Sequence, residues 1–148
     1  MTADKHDVCL PCFRITRRDE AMLEAIGQYR FLSTPQLHRL AGGSERGIRN
    51  RLRLLTAHGY LIRRSPHITE PFAYGLTRKG ARLLAERGIA IEYRQDWTAK
   101  NRTTALFLDH TLAVGETMLR FRIDAANLAV RLVDHDALLP QLPEHTQN

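Results

Sequence analysis

Apolar residues in the first part of the chain recur at intervals of three or four, the spacing of amphipathic helices. Each of these segments follows a hydroxyl residue that can cap a helix, and three of them stop at glycine. The pattern predicts helices over residues 17–29, 35–41, 45–58 and 78–87, with caps at Thr16, Ser33, Ser44 and Thr77. This part of the chain is therefore expected to consist of short helices joined by tight turns.

The period changes from helical to alternating between the third and fourth predicted helices. Residues 60–64 and 72–76 predict two strands, and residues 65–71 between them are rich in turn formers, including two prolines. Together they indicate a β-hairpin. The order helix, helix, helix, hairpin, helix is that of a winged helix-turn-helix domain, whose second and third helices form the helix-turn-helix. We assign this domain to residues 14–88 and a flexible tail to residues 1–13.

A long helix is predicted from about residue 102 to about residue 126, because two rows of apolar residues run side by side along it. The first row, spaced by four and three residues, is Phe107, Thr111, Val114, Met118, Phe121, Ala125 and Leu128, and the second is Leu108, Leu112, Gly115 and Leu119. This face is too wide for a helix that lies against one small neighbour, which favours dimerisation through the long helix. The pattern leaves open whether the helix pairs with a copy of itself or folds back on its own domain.

A strand is predicted over residues 128–133, after the long helix. Residues 89–135 then hold a connector with the chain's one Trp, Trp97, the long helix and the short strand, and residues 136–148 form a tail. The expected fold class is mainly α with a small β-hairpin: a winged helix-turn-helix followed by a long C-terminal helix.

Charge is concentrated in the predicted winged domain. The 148 residues include 22 Lys and Arg against 16 Asp and Glu, a net charge of +6. Residues 14–88 hold 15 basic and 6 acidic residues (+9), and the remainder holds 7 and 10 (−3). The coincidence of the basic segment with the helix-turn-helix favours a nucleic-acid partner over a merely basic surface. No membrane-length apolar run or signal-like start is present, so a cytoplasmic protein without a membrane partner is expected.

The third predicted helix separates an apolar face from a cationic one. Ile48, Leu52 and Leu55 fall on one side of a helical projection; the opposite side carries Arg46, Arg49, Asn50 and Arg53. Arg can chelate guanine and Asn can chelate adenine, so this face is able to read base edges in a major groove. A solvated charged face is the alternative, but residues 46–64 contain no acidic residue, which favours DNA. Arg51 projects to the flank, toward phosphate or the protein's own acidic groups.

Further cations fall where a DNA backbone would pass. Arg63, Arg64 and His67 are predicted at the tip of the hairpin, where they would contact phosphate or the minor groove and set affinity rather than sequence choice. Arg17 and Arg18 open the first helix and complete the predicted DNA-binding set. Arg78, Lys79 and Arg82 open the fourth helix; either helix start can bind phosphate through backbone N–H groups or face solvent.

No residue pattern indicates catalysis, a cofactor or a metal. Cys9 and Cys12, preceded by His6, lack the second ligand pair of a structural zinc site and the βαβ context of a redox motif. His110 adjoins Asp109 with no nucleophile placed beside it, so packing or a hydrogen bond in the core or an interface is the favoured interpretation. We therefore expect a protein that is not an enzyme.

Several of these segments resemble the replication-relaxation or mobilisation-type winged-helix proteins of plasmids and other mobile elements. The similar blocks, spread over residues 16–133, are Thr16-Arg17-Arg18-Asp19, Phe31-Leu32-Ser33-Thr34 with Gln36-Leu37, Arg49-Asn50-Arg51-Leu52, Tyr74-Gly75-Leu76-Thr77, and His110 to Val114. The first three blocks are also similar to those of broader winged-helix transcriptional regulators. The resemblance implies DNA binding in plasmid replication control, relaxosome assembly or transcriptional regulation, without a nicking activity of the chain's own.

The leading hypothesis is a homodimeric, sequence-selective binder of double-stranded DNA. A second hypothesis is a winged-helix protein–protein adaptor whose long helix recruits a relaxase or replication protein. A remote third is a zinc- or thiol-dependent sensor acting through Cys9 and Cys12.

Overall fold

A computed structural model describes residues 13–65, 67–89, 104–133, 138–141 and 143. The elements in the described residues are helices α1 (Arg17–Tyr29), α2 (Thr34–Ala41), α3 (Glu45–Ala57), α4 (Arg78–Glu86) and α5 (Ala105–Asn127), strands β1 (Leu32–Ser33), β2 (Leu61–Arg64) and β3 (Ala73–Leu76), and a 3₁₀ turn at Leu139–Gln141. The fold is mainly helical with a small antiparallel sheet and a long C-terminal helix, as the pattern of apolar residues predicts. Cys9, Cys12, His6 and Trp97 lie outside the described residues.

Hydroxyl caps begin the helices at the predicted positions. The Thr16, Ser44 and Thr77 side chains accept hydrogen bonds from the backbone N–H groups three residues on. Such a cap satisfies one of the N–H groups that a helix start leaves unpaired. In α2 the Ser33 N–H donates to Gln36 Oε1 at 2.9 Å, and the helix begins one residue earlier than expected. Local capping chemistry therefore fixes where the helices of the basic segment start.

The sheet has three strands rather than the predicted two, in the order β1-β3-β2. Leu32 pairs with Tyr74 and Ser33 with Ala73, so the short β1 covers the outer edge of β3. All residues of β3 are buried, because β3 is the central strand. Burial on both faces is what a strand flanked on each side requires.

The apolar face predicted for α3 forms the centre of the core. Ile48, Leu52 and Leu55 are fully buried and pack with apolar residues of α1, α2, the sheet and α4. Phe13 packs against the same core and stacks on His58, with ring centroids 4.5 Å apart. Phe13, which the sequence places in the tail, is therefore packed against the domain.

The long helix α5 folds back on its own domain through its second apolar row. Leu108, Gly115 and Leu119 are buried, and a Cβ atom on Gly115 would lie only 3.1 Å from the Leu32 side chain. The Gln36 amide donates to the Leu112 carbonyl oxygen at 2.8 Å. Glycine thus permits a close approach between α5 and β1, and a side chain of α2 holds the helix in place.

An ion pair adds to this attachment. Arg39 donates to both carboxylate oxygens of Glu116, and Arg120 donates to the same carboxylate at 3.0 Å. The hydrogen bond from Arg39 is the main cause that lowers the pKa of Glu116 to about 2, against partial burial, which raises it. The charged form of Glu116 is therefore the one that holds α5 on α2.

We expect Glu116→Gln to loosen α5 by about 1 kcal/mol at neutral pH, because a half-exposed ion pair contributes little more than this. A folded-state pKa below the ordinary value means that the contribution is complete above about pH 4.5 and is lost as pH falls toward 2. Hydrogen exchange of the α5 amides over that pH range measures it. Equal exchange in both proteins at pH 7 would contradict this role of Glu116.

Residues 128–133 do not form the predicted strand. After α5 ends at Asn127, the Leu128 N–H donates to Asp124 O and the Val130 N–H to Ala125 O, with Ala129 at φ 55°. These bonds turn the chain at the helix end in the manner of a Schellman motif. The residues that follow are exposed, and no strand of the described sheet pairs with them.

Candidate nucleic-acid interface

An open groove of about 1050 Å³ separates the outward face of α3 from β2 and the loop that joins β2 to β3. Glu45, Arg49 and Arg53 line it from α3, and Arg63, Arg64 and Glu70 line it from the hairpin. Each side of the groove therefore contributes two guanidinium groups and one carboxylate. Its net positive charge and its open shape suit an extended anionic ligand.

The polar face of α3 is exposed as predicted. Arg46, Arg49, Asn50 and Arg53 are all exposed, while the opposite face of the same helix is fully buried in the core. That burial fixes the rotation of α3 about its axis. The four polar side chains therefore project outward. The helix thus presents all four outward, and Arg49 and Arg53 line the groove.

Three of these four side chains make contacts along the helix. Arg49 Nη2 donates to Glu45 Oε1 at 2.5 Å, and Arg53 Nη2 donates to Asn50 Oδ1 at 3.1 Å. The Arg49 and Glu45 side chains are 69% and 54% exposed, so their ion pair is worth only about 0.3–0.5 kcal/mol. Arg49 can therefore exchange Glu45 for a ligand with little loss of stability. The sequence predicts Glu45 only as the first residue of the third helix. It does not reveal that Glu45 lines the groove.

The hairpin arginines lie on the strand rather than at the tip, which corrects their predicted position. Arg63 and Arg64 end β2, and the Arg63 guanidinium lies 4.2 Å above the centre of the Phe72 ring. β2 ends at Arg64, the predicted end of this strand, and Arg63 and Arg64 pair with Tyr74 and Ala73 of β3. Arg63 and Arg64 thus face α3 across the groove rather than project beyond it.

His67 belongs to the loop but turns toward α5. Its Nε2 atom lies 3.4 Å from Asp109 Oδ2, longer than a usual hydrogen bond between these atoms. Ligand atoms of His67, Glu70 and Asp109 lie within 4.8 Å of one another. All three side chains are exposed, and exposed groups of this composition are common without a metal, so we assign no metal site here.

The start of α1 lies beside the turn that joins α2 to α3. Arg17 and Arg18 are exposed, and a Cβ atom on Gly43 would come within 2.9 Å of the Arg18 guanidinium. Gly43 has a φ of 83°, which glycine adopts without strain. The structure therefore brings Arg18 to the end of α3 that begins the polar face, as the sequence alone could not show.

Arg51 lies on the flank of α3 and contacts the protein itself. Its Nε donates to Asp19 Oδ1 at 3.0 Å, its Nη2 donates to Oδ2, and its guanidinium lies 4.6 Å from the Phe13 ring centre. Burial raises the pKa of Asp19, but hydrogen bonds from Arg51 and Thr16 outweigh it and hold that pKa below its ordinary value. Of the two partners considered for Arg51, the acidic group is the one observed.

The start of α4 contributes a structural cation. Lys79 donates to the His58 carbonyl oxygen at 2.8 Å and lies 4.5 Å from the Tyr60 ring centre. It thus interacts with the carboxyl end of α3, where a positive charge is favourable. Arg78 and Arg82 are exposed beside it.

His110 is exposed on α5 rather than packed in the core.

Within the described part of the chain, no helix is both long enough and apolar enough to cross a membrane.

Searches of curated proteins and of solved structures each gave no match to the chain. A family model described as replication-relaxation matches residues 23–137, which include most of α1, the sheet, the groove and α5. The match spans most of the chain, and the protein therefore belongs to the replication-relaxation family.

Proposed function

We propose that this protein binds double-stranded DNA with sequence selectivity and acts in the replication, relaxation or transcriptional control of a plasmid or other mobile element. In this proposal residues 14–88 act as a winged helix-turn-helix. The observation that carries it is the exposed polar face of α3, Arg46, Arg49, Asn50 and Arg53, which borders a groove edged by two more arginines. Membership of the replication-relaxation family supports the biological setting.

The geometry suits a duplex because an α-helix with its side chains is about 10–12 Å across, close to the width of a DNA major groove. With α3 in that groove, Arg49 and Arg53 donate to guanine O6 and N7, and Asn50 pairs with an adenine edge. Arg63 and Arg64 meet the backbone on one side, and Arg17 and Arg18 meet it beside the α2–α3 turn. These outer contacts position the protein, whereas the α3 contacts choose the sequence.

The proposed role is binding without cleavage. A relaxase or replication protein then acts on the DNA that this protein occupies.

Fluorescence anisotropy of a labelled random-sequence duplex, followed from about 50 to 300 mM NaCl, tests the proposal. If about five phosphates are neutralised, the logarithm of the association constant should fall with a slope of about −4 to −5 against the logarithm of salt. Binding that is absent at the lowest salt, or that does not change with salt, would contradict the proposal.

Glu45→Gln should strengthen binding to every duplex by about threefold to tenfold at low salt, because it removes a negative charge from the groove. Glu86→Gln is the matched control, since it makes the same charge change at an exposed position of α4 outside the groove. Anisotropy titrations of both variants measure the difference. An equal gain from the two substitutions would mean that only net charge matters and that the groove is not the binding site.

The adaptor hypothesis retains one observation in its favour, the exposed apolar row on α5. An adaptor would bind a relaxase or replication protein through this row and would not shift DNA at low salt. A pull-down with the purified partner that survives nuclease treatment, together with no DNA shift, would favour it over DNA binding.

A further inference from the structure

We propose that a second copy of this chain covers the exposed apolar row of α5, and that the two helices pair antiparallel in one register. The outer row consists of Phe107, Thr111, Val114, Met118, Phe121 and Ala125. This pairing is independent of DNA binding and goes beyond the function proposed above.

The outer row is only partly covered when α5 folds back on its own domain: Thr111, Met118 and Ala125 are partly buried, and the Arg30 guanidinium lies 4.5 Å from the Phe107 ring centre. Val114 is 48% exposed, Phe121 55% and Phe107 36%, whereas Leu108 and Leu119 of the inner row are almost fully buried. Exposed apolar rows of this kind mark interaction sites. The outer row therefore has apolar surface, chiefly at Val114 and Phe121, that the chain's own domain does not cover.

The spacing of the outer row is that of a helix pair. Its residues are separated by four and three positions along a helix of 23 residues, which is the repeat of a two-helix coiled coil. A second α5 carries the same repeat over the same length. A copy of the chain is thus a partner whose helix matches the row from end to end.

Side-chain volume favours the antiparallel direction. In an antiparallel pair each core layer contains one of the two core positions of the heptad from one helix and the other position from the second helix. Phe107 therefore packs against Ala125 of the second copy, and Thr111 packs against its Phe121. Val114 then meets Met118 of the second copy. Every layer combines a larger with a smaller side chain, which fills a core evenly. A parallel pair would place Phe121 against Phe121 and Ala125 against Ala125, so that overfilled and underfilled layers adjoin.

The polar residues beside the outer row favour the same register. His110 and Asp124 are exposed on the side of the outer row that faces away from the domain. In the antiparallel register His110 lies beside Asp124 of the second copy, and the two-fold axis produces this contact twice. A parallel pair would put His110 beside Gly115 and Asp124 beside Ala129. His110 is exposed and has no role in the core of its own domain; in this register it has a polar partner on the second copy.

The antiparallel pair also places both domains suitably. The inner row lies about 100° around the helix from the outer row, and antiparallel packing turns the inner rows of both helices to one side of the pair. Both domains then stand on the same side, where one duplex can reach them. Parallel packing would put the domains on opposite sides.

Light scattering after size exclusion, without DNA, gives the first test. The protein should have twice the mass of one chain at about 50 μM, a concentration at which a two-helix interface of this length is expected to hold. Phe121→Glu should give a monomer with an unchanged far-UV spectrum. Leu106→Glu, a matched control at an 80% exposed position outside the outer row, should stay dimeric. A monomeric wild type, or a Phe121→Glu protein that stays dimeric, would overturn the proposal.

Cross-linking tests the direction. With Cys9 and Cys12 changed to Ser, a single cysteine from Thr117→Cys lies next to itself across the two-fold axis only in the antiparallel register. Val114→Cys lies next to itself only in a parallel pair. A short bismaleimide should therefore join the Thr117→Cys chains efficiently and the Val114→Cys chains poorly; the reverse result would overturn the register. Because no DNA is present, failure here leaves the DNA-binding proposal to its own tests.

Discussion

Replacing Arg49 and Arg53 together with alanine is expected to abolish the preference of this protein for its selected DNA site over random DNA. Each bidentate contact from arginine to guanine provides about 1–3 kcal/mol of discrimination, so the loss of two corresponds to a factor of about 30 to 10⁴ in the specificity ratio. Binding to random DNA should weaken much less, because the remaining cations still contact phosphate. Competition titrations of the selected and random duplexes, monitored by anisotropy at one salt concentration, measure the ratio.

The matched control is the double variant Arg78→Ala with Arg82→Ala, which removes two positive charges from exposed positions of α4 outside the groove. This control should lower affinity for both duplexes equally, if at all, and leave the specificity ratio unchanged. A ratio that survives in the Arg49 and Arg53 variant would contradict base reading by α3. Thermal unfolding of both variants separates this outcome from a loss of folding, which exposed side chains should not cause.

Asp19→Ala should produce the largest loss of stability among the charged positions. The Asp19 carboxylate is fully buried, and it accepts hydrogen bonds from Thr16 N–H at 2.7 Å, from Thr16 Oγ1 and from Arg51. Its removal leaves the Arg51 guanidinium without its carboxylate partner and weakens the cap of α1, which together should cost about 3 kcal/mol. Urea unfolding at pH 7 measures this loss. Glu20→Ala, which removes a more exposed pair with Arg87, should cost less than about 1 kcal/mol.

Acid should remove the same interaction from the wild type. Because the pKa of Asp19 lies below its ordinary value of 3.8 in the folded state, the pairing stabilises the fold fully above that value. The contribution is lost as pH falls below it and the carboxylate becomes protonated. The stability difference between wild type and Asp19→Ala should therefore shrink in acid. A difference that stays constant from pH 6 to pH 2.5 would show that the ionised Asp19 carboxylate is not what stabilises the contact between α1 and α3.

The helices could be predicted from sequence because their determinants are local. Thr16, Ser44 and Thr77 cap three of them, and the buried face of α3 follows directly from its periodicity. The short strand β1 could not be predicted, since two residues carry no period and the strand exists only because β3 lies beside it. The absence of a strand over residues 128–133 is a similar case. An apolar alternation there had no neighbouring strand to pair with.

The candidate site was likewise predictable where it depends on local sequence and not where it depends on contacts between distant elements. The outward direction of Arg46, Arg49, Asn50 and Arg53 follows from the period of one helix. The approach of Arg18 to Gly43 and the position of Glu45 in the groove depend on packing between elements distant in sequence, so no local pattern reveals them. The two apolar rows of α5 posed the same problem. Periodicity identified both rows, and only the docked fold shows that the second row packs on the domain while the first stays partly exposed.

The most direct test of the proposed function is selection of bound duplexes from a random DNA pool by the wild-type protein. We expect enrichment of one short motif whose guanines and adenine match Arg49, Arg53 and Asn50, present as two inverted half-sites if α5 pairs as proposed. A pool that stays random after repeated rounds, although the protein is folded and the salt is low, would contradict the claim that α3 reads DNA sequence.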